Sequence, residues 1–425
     1  MVDIKFKFVH AADLHLDSPF YGFSAESEKI QKILRDATFV AFDNLINLCI
    51  EEDVDFLVIA GDIYDEANNN IRGQYKFYEG MKRLEQNGVK VFVSHGNHDH
   101  LGGYRATIKW PENVHFFSCE KPQEIPFYKN GTVVASIHGV SYPKRDVREN
   151  LVCDFKVTSQ DTYNIAVVHT NVGGRSDYEN YAPCKKEELL KKGFDYWALG
   201  HVHKHEIINP AKPVIAYPGN TQARNIKETG SKGVLLVEVE DGNTSYEFKE
   251  TQYVTWIELK QSITELQSGE ELIEAILKKF TKIRPQKGGV IARLYLEGRG
   301  ELHYELTKKG FDKVLLELLR EQEEVERDGF VWVESLILQT GLRIDKAKYL
   351  QEASIVGDFL QVAGKTLQSE EFFEKIKKSA LQIYEDVNKV GRYISPPSDE
   401  ELKSWLQEAE EVGLQYLLED ELDAT

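Results

Sequence analysis

Phe56-Leu57-Val58-Ile59-Ala60-Gly61-Asp62-Ile63-Tyr64-Asp65 decides the fold of this chain. Five apolar residues in a row have the length of a strand buried on both faces, and the glycine after them lets the chain turn. Asp62 therefore stands at the C-terminal end of a buried strand. The same arrangement recurs four times. Phe6-Lys7-Phe8-Val9 leads into Asp13-Leu14-His15, and Val91-Phe92-Val93 leads into Gly96-Asn97-His98-Asp99. Ile165-Ala166-Val167-Val168 ends on His169, and Tyr196-Trp197-Ala198-Leu199 runs into Gly200-His201-Val202-His203. Core packing does not ask for five polar strand ends in a row.

Between these runs lie helical patterns. From about Glu28 to Glu52, Ile30, Ile33, Leu34, Ala37, Ala41, Leu45 and Leu48 fall at helical spacing, and a second helix from about Ile71 to Gln86 stops at Asn87-Gly88. Later strands at 133–137, 214–217, 234–239 and 245–249 are joined by tight turns. Residues 1–250 thus read as an α/β sandwich of two mixed β-sheets flanked by helices, with functional loops at the C-terminal strand ends. Residues 251–340 alternate strand, helix, strand, helix, strand and read as a small α/β cap domain. Residues 341–425 read as a helical C-terminal region. In it Phe372, Phe373, Ile376, Ala380, Ile383, Tyr384 and Val387 form an apolar stripe. Pro396-Pro397 breaks the helix, and Ser398 with Glu401 forms a capping box for a last one.

The net charge of -18 over 425 residues excludes a basic free-standing DNA binder. From Ser398 onward ten Asp or Glu face only Lys403, so about half of that charge lies in the last helix. Cys49, Cys119, Cys153 and Cys184 lie far apart without CxxC spacing, which excludes a zinc knuckle and argues against a disulfide scaffold. The N-terminus lacks a signal-peptide stretch, and no apolar run approaches the ~20 residues of a membrane span. The expectation is a cytoplasmic protein with no membrane contact.

The strand ends carry one kind of chemistry. Asp13 and His15, two residues apart, project to the same side of an extended segment and can hold one metal ion. Asp62 can bridge two. Asn97, His169 and His201 offer an oxygen and two nitrogens for the second ion, and His203 can turn back to the first. This mixed O and N set without thiolate suits Mn²⁺, Fe²⁺ or Zn²⁺. Two divalent ions against Asp13 and Asp62 leave an excess of about +2, which a hydroxide and a phosphodiester anion would neutralise. Such pairs of ions, roughly 3.5–4 Å apart, acidify a shared water and clamp the attacking and leaving oxygens. His98 is the candidate proton donor to the leaving group, with Asp65 to orient it and keep it charged.

These motifs resemble the calcineurin-like metallophosphoesterases at every metal-binding position. The run from His10 to Pro19, Tyr217-Pro218-Gly219-Asn220 and the segment from Glu228 to Gly233 resemble the SbcD-type DNA-repair nucleases, in their YhaO-like branch. The resemblance covers residues 1 to about 240 closely and the rest by architecture only. It implies Mn²⁺, a homodimer, exonuclease action on DNA ends and docking of an SbcC-like coiled-coil ATPase. There are two departures. Asp65 stands where archaeal and eukaryotic relatives carry a second histidine, and Leu16-Asp17-Ser18-Pro19 replaces the commoner Leu-Gly. Both loosen the transfer of substrate from those relatives.

For DNA contact the candidates are Lys144, Arg145 and Arg148 after a strand, and Lys278, Lys279, Lys282 and Arg284 at a helix end. A solvated helix end is the plainer account of the second group. The acidic last helix, with Leu402, Trp405, Leu406 and Ala409 on one side, is a docking element or simply packs on its own domain. The expected function is a 3′-5′ DNA exonuclease subunit. The alternatives are an enzyme acting on small nucleotides and a structural subunit with a vestigial site.

Overall fold

The computed structural model describes residues 5–18, 28–65, 71–103, 107–175, 178–386 and 396–423. Pro19 and Val387, both used above, lie outside them. The chain runs β1 (Lys5–Ala11), α1 (Glu28–Glu51), β2 (Phe56–Ala60), α2 (Ile71–Gln86), β3 (Lys90–Ser94), β4 (Val114–Phe116), β5 (Gln123–Lys129) and β6 (Thr132–Gly139). Then come β7 (Tyr163–His169), α3 (Lys186–Leu190), β8 (Tyr196–Gly200), β9 (Glu206–Asn209), β10 (Val214–Tyr217), β11 (Gly233–Glu240) and β12 (Asn243–Glu250). The rest is β13 (Val254–Ser262), α4 (Gly269–Ile283), β14 (Gly289–Arg299), α5 (His303–Leu306), α6 (Phe311–Glu321) and β15 (Phe330–Gly341), followed by α7 (Lys346–Tyr349), α8 (Ile355–Gln368), α9 (Glu370–Asp386) and α10 (Asp399–Asp423).

Two six-stranded mixed sheets form the expected sandwich. Their orders are β12-β11-β1-β2-β3-β4 and β5-β6-β7-β8-β10-β9. Within the first, β1, β2, β3 and β4 are parallel and β11 is antiparallel to β1. Strand alternation sorts the side chains. Phe6, Phe8, Phe56 and Val58 face the second sheet, where they meet Ile165, Tyr196 and Ala198. Val9, Leu57, Ile59 and Val91 face the other way, onto Phe42, Leu45 and Met81 of α1 and α2. Outside the second sheet, Ala166, Val168, Trp197 and Tyr217 form a third layer with Val152 and Phe155. Strands buried on both faces are why these runs read as continuously apolar.

Strands β13, β14 and β15 form a separate three-stranded sheet. By contact density the chain divides into two compact units. One comprises residues 1–259, 277–294 and 316–336; the other comprises 260–276, 295–315 and 337–425. In the first, Ile30, Leu34 and Ala37 of α1 pack with Val254, Trp256, Ile291 and Phe330. In the second, Leu414 and Leu418 of α10 are buried with Val356 and Leu360 of α8. Ser398 caps α10 as the sequence predicts: its Oγ accepts from Glu401 N at 3.2 Å, and its N–H donates to Glu401 Oε2 at 2.7 Å. Leu402 is buried, whereas Trp405 is 49% exposed. The last helix therefore both packs on its own unit and keeps an aromatic side chain in solvent. No helix of the described residues is long and apolar enough to cross a membrane.

Candidate metal centre

All five motifs lie at the C-terminal ends of neighbouring strands, and backbone hydrogen bonds tie them together. The pairing of β1 with β2 continues past both strands: Asp13 N donates to Gly61 O and His15 N to Asp62 O, each at 3.0 Å. The loops carrying Asp13, His15 and Asp62 are thus laid side by side. Asp99, buried, clips the second motif to the third. It accepts from Gly96 N at 2.7 Å, Ile63 N at 3.0 Å and Asp62 N at 3.3 Å, with His95 Nδ1 at 3.0 Å. His201 N donates to the Asp13 carboxylate at 3.1 Å, which joins the last motif to the first.

The ligand loops are tightly wound. Asp13, His15, Asp62 and His201 have φ of 52°, 43°, 54° and 103°, a region that side chains with a Cβ enter only when their surroundings demand it. The motif glycines provide room. A Cβ on Gly96 would lie 2.3 Å from Asp62 Oδ1, and one on Gly200 would lie 1.8 Å from Ala60 O, where the two sheets approach each other.

Two sets of donor atoms share Asp13, and a third, His15, Asp65 and His98, lies beside them. Asp13, His15 and His203 bring ligand atoms within 4.8 Å of one another, and so do Asp13, Asp62 and His169. His15 Nε2 and His203 Nε2 are 3.2 Å apart. Asn97 Oδ1 lies 2.9 Å from His169 Nε2. Asp62 Oδ2 sits between the sets, 3.4 Å from His169 Nε2 and 3.9 Å from His15 Nε2. The His201 ring lies beside His169, with centroids 5.1 Å apart.

Each histidine has one ring nitrogen committed to an oxygen partner. His169 Nδ1 donates to Ala60 O at 2.9 Å and His201 Nε2 to Glu179 O at 2.7 Å. His15 Nδ1 meets Asp65 at 3.1 Å, and His203 Nδ1 meets Glu228 at 2.8 Å. The other nitrogens of His15, His203 and His169 face one another or Asn97 within the donor sets, the arrangement by which outer partners orient ligating histidines. Electrostatics agree. Burial pulls His15 down to about 4, His169 to about 4 and His201 to about 3, so all are neutral and able to donate a lone pair. Burial and the neighbouring Asp62 push Asp13 well above the usual carboxylate range. A buried carboxyl raised in this way is relieved by a cation beside it. The residues present therefore fit a dinuclear metal group.

Beside the donor sets, His98 Nδ1 lies 2.8 Å from Asp65 Oδ1, an oxygen that His15 also contacts. Burial opposes a charge on His98, but Asp62 and Asp65 outweigh it and raise its pKa. Asp65 is held far below the usual range: burial opposes this, and His15, His98 and Arg224 outweigh it. Arg224 Nη1 is 3.3 Å from Asp65 Oδ2. Sequence reasoning misses Arg224, Glu228 and the role of Asp99. The segment around Glu228 stands out in the sequence only for its resemblance, and nothing in its spacing shows that it folds back onto His203. His10 bonds Tyr196 Oη and Leu199 O, and His138 bonds Asn164, so both belong to the core.

A cleft of about 870 Å³ opens over the site, with Asp62, Asn97, His98, His201 and His203 in its wall. Arg145 also lines it. Arg148 instead pairs with Asp146 at 2.6 Å and covers the Tyr181 ring, and Lys144 is exposed outside the cleft lining. Lys278, Lys279 and Lys282 lie on α4, away from that lining, and Arg284 is committed to Glu323 through two bonds of 2.6 and 2.9 Å.

Residues 6–205 match the calcineurin-like phosphoesterase family, and residues 256–341 match the middle domain of metallophosphoesterase YhaO. Over 325 residues the chain is 41% identical to the metallophosphoesterase YhaO of Bacillus subtilis (strain 168), covering 76% of this chain and 79% of that protein. The chain belongs to the calcineurin-like metallophosphoesterases. This family uses a dinuclear metal site, and its members are phosphoesterase hydrolases. The chain is also similar to the DNA double-strand break repair protein Mre11 of Methanopyrus kandleri, 24% identical over 83% of this chain and 80% of that one. To the SbcD component of the nuclease SbcCD of Bacillus subtilis (strain 168) it is 24% identical, over 56% of this chain and 67% of that protein.

Proposed function

We propose that this metallophosphoesterase is a two-metal phosphodiesterase acting as a 3′-5′ DNA exonuclease, in a complex with an SbcC-like coiled-coil ATPase. The observation that carries the reading is that both donor sets share Asp13 and flank Asp62 Oδ2, which lies 3.4 Å from His169 and 3.9 Å from His15, beside a histidine held by Asp65. Asp13, His15 and His203 would hold one ion, Asn97, His169 and His201 the other, with Asp62 shared and Mn²⁺ the preferred metal. Bound there, the ions supply an acidified water and positive charge against the phosphate oxygens. The chain's own groups do the rest. His98, with Nδ1 on Asp65, would give a proton from Nε2 to the leaving oxygen as the P–O bond breaks. Arg224 and His15 hold Asp65 so that His98 stays in place.

The similarity to Mre11 and to the SbcD component of SbcCD supports DNA as the substrate. A net charge of -18 fits a protein to which a partner brings the DNA. We assign residues 1–250 to catalysis, 251–340 to a DNA-facing cap and 341–425 to docking of the ATPase, and expect a cytoplasmic homodimer. The Asp65–His98 pair favours a second reading, hydrolysis of small nucleotides, because a carboxylate-held histidine serves any leaving alcohol. Purified protein with Mn²⁺ should remove nucleotides from the 3′ end of an end-labelled duplex. Hydrolysis of a chromogenic diester alone would favour the second reading.

A further inference from the structure

Three lysines that belong to none of the metal-binding motifs surround His203. Lys204 follows it in sequence, Lys227 precedes its partner Glu228, and Lys232 Nζ donates to its carbonyl oxygen at 3.0 Å. All three line the cleft. Lys204 and Lys227 are exposed and have no ion pair among the described residues. The nearby carboxylate of Glu228 is already taken by His203, Asn220 Nδ2 and the Arg224 backbone. Lys232 is only 5% exposed, yet among the described residues its three N–H donors meet one acceptor. A buried ammonium with unused donors is costly unless an anion joins it. In a chain of net charge -18, a wall of unpaired cations is the exception.

In the proposed reaction, metal ions held by the donor sets and His98 would serve the reacting phosphate, which leaves these lysines to a different anion. His203 presents its ring to the donor set and its carbonyl to Lys232, which places the ammonium group in the same cleft wall as the donor residues. We propose that Lys204, Lys227 and Lys232 bind a second, non-reacting phosphate of the substrate, next to the scissile one. The proposal rests on the phosphodiesterase reading and narrows its substrate to a nucleic-acid strand carrying at least two phosphates. Asn225 supports the assignment: its side chain accepts from Lys227 N at 2.9 Å and fixes the loop that presents Lys227.

The test uses full-length, Mn²⁺-loaded protein and three thymidine dinucleotides: one without a terminal phosphate, one with a 5′ phosphate and one with a 3′ phosphate. One phosphorylated form should be preferred by about tenfold in kcat/KM, carried by KM, as expected for charge-assisted contacts to one phosphate. In the double variant Lys204→Ser, Lys227→Ser, whose substitutions are exposed and spare the fold, that preference should fall below about twofold. Lys232→Met should reduce it as well, with its thermal midpoint measured alongside. No preference in the wild type, or a preference that survives the double variant, overturns the subsite while leaving the phosphodiesterase reading intact. If the wild type hydrolyses none of the three, the phosphodiesterase reading falls and the subsite with it.

Discussion

His98 carries the heaviest single expectation, because its Nδ1 rests on Asp65 at 2.8 Å and it belongs to neither of the two donor sets that share Asp13. His98→Ala should therefore keep full metal content by elemental analysis and lose about 10²–10⁴-fold in kcat, the range of a positioned proton donor. An unchanged kcat would remove it from the reaction. Glu228 should behave in the opposite way. It orients His203 through Nδ1, and Glu228→Gln should weaken metal binding by about 10–100-fold in a competition titration. The side chains gathered at the strand ends are legible in the sequence because each follows a strand whose end the apolar run marks. Glu228 and Arg224 are not, because they act 25 and 159 residues away from His203 and Asp65. Only the folded chain joins them.

At the scale of elements, the sequence predicts helices and central strands well and edge strands poorly. The helix expected over about Ile71 to Gln86 is found as α2 over Ile71–Gln86. β5 is absent from the expected strands although Asn130-Gly131 is a strong hairpin turn signal, and both residues adopt positive φ, 52° and 77°. Its sequence, Gln123-Glu124-Ile125-Pro126-Phe127-Tyr128-Lys129, is polar and holds a proline, which a sheet accepts only at its edge. β5 is indeed an edge strand. Helix packing gives a prediction in which two effects oppose. Propensity alone makes Gly80→Ala in α2 stabilising by about 1 kcal/mol. A Cβ there would lie 2.5 Å from the Phe42 ring of α1, and overpacking costs about 1–3 kcal/mol. Packing should win, and Gly80→Ala should lower the denaturant midpoint; a raised midpoint would mean that α1 yields.

For the whole molecule, the catalytic unit is built around charges that need counter-ions. Asp13 and Asp62 are each 1% exposed. Ions that bind the folded chain alone stabilise it by mass action, about 2.7 kcal/mol at a hundred times the Kd. Adding Mn²⁺ to chelator-treated protein should raise the thermal midpoint of this unit by several degrees, and Asp62→Asn should blunt the rise. A midpoint indifferent to Mn²⁺ would mean that the donors do not act together. The sandwich itself is legible because strands buried on both faces leave unbroken apolar runs. Within the basic run near residue 284, composition cannot show that Arg284 is paired with Glu323.

The central claim is a pair of metal ions in one cleft, shared through Asp62. Diffraction from Mn²⁺-soaked crystals at the manganese absorption edge tests it most directly. The account predicts two anomalous peaks per chain, one among Asp13, His15 and His203 and the other among Asn97, His169 and His201, with Asp62 touching both. A single peak, or peaks away from these residues, would contradict it.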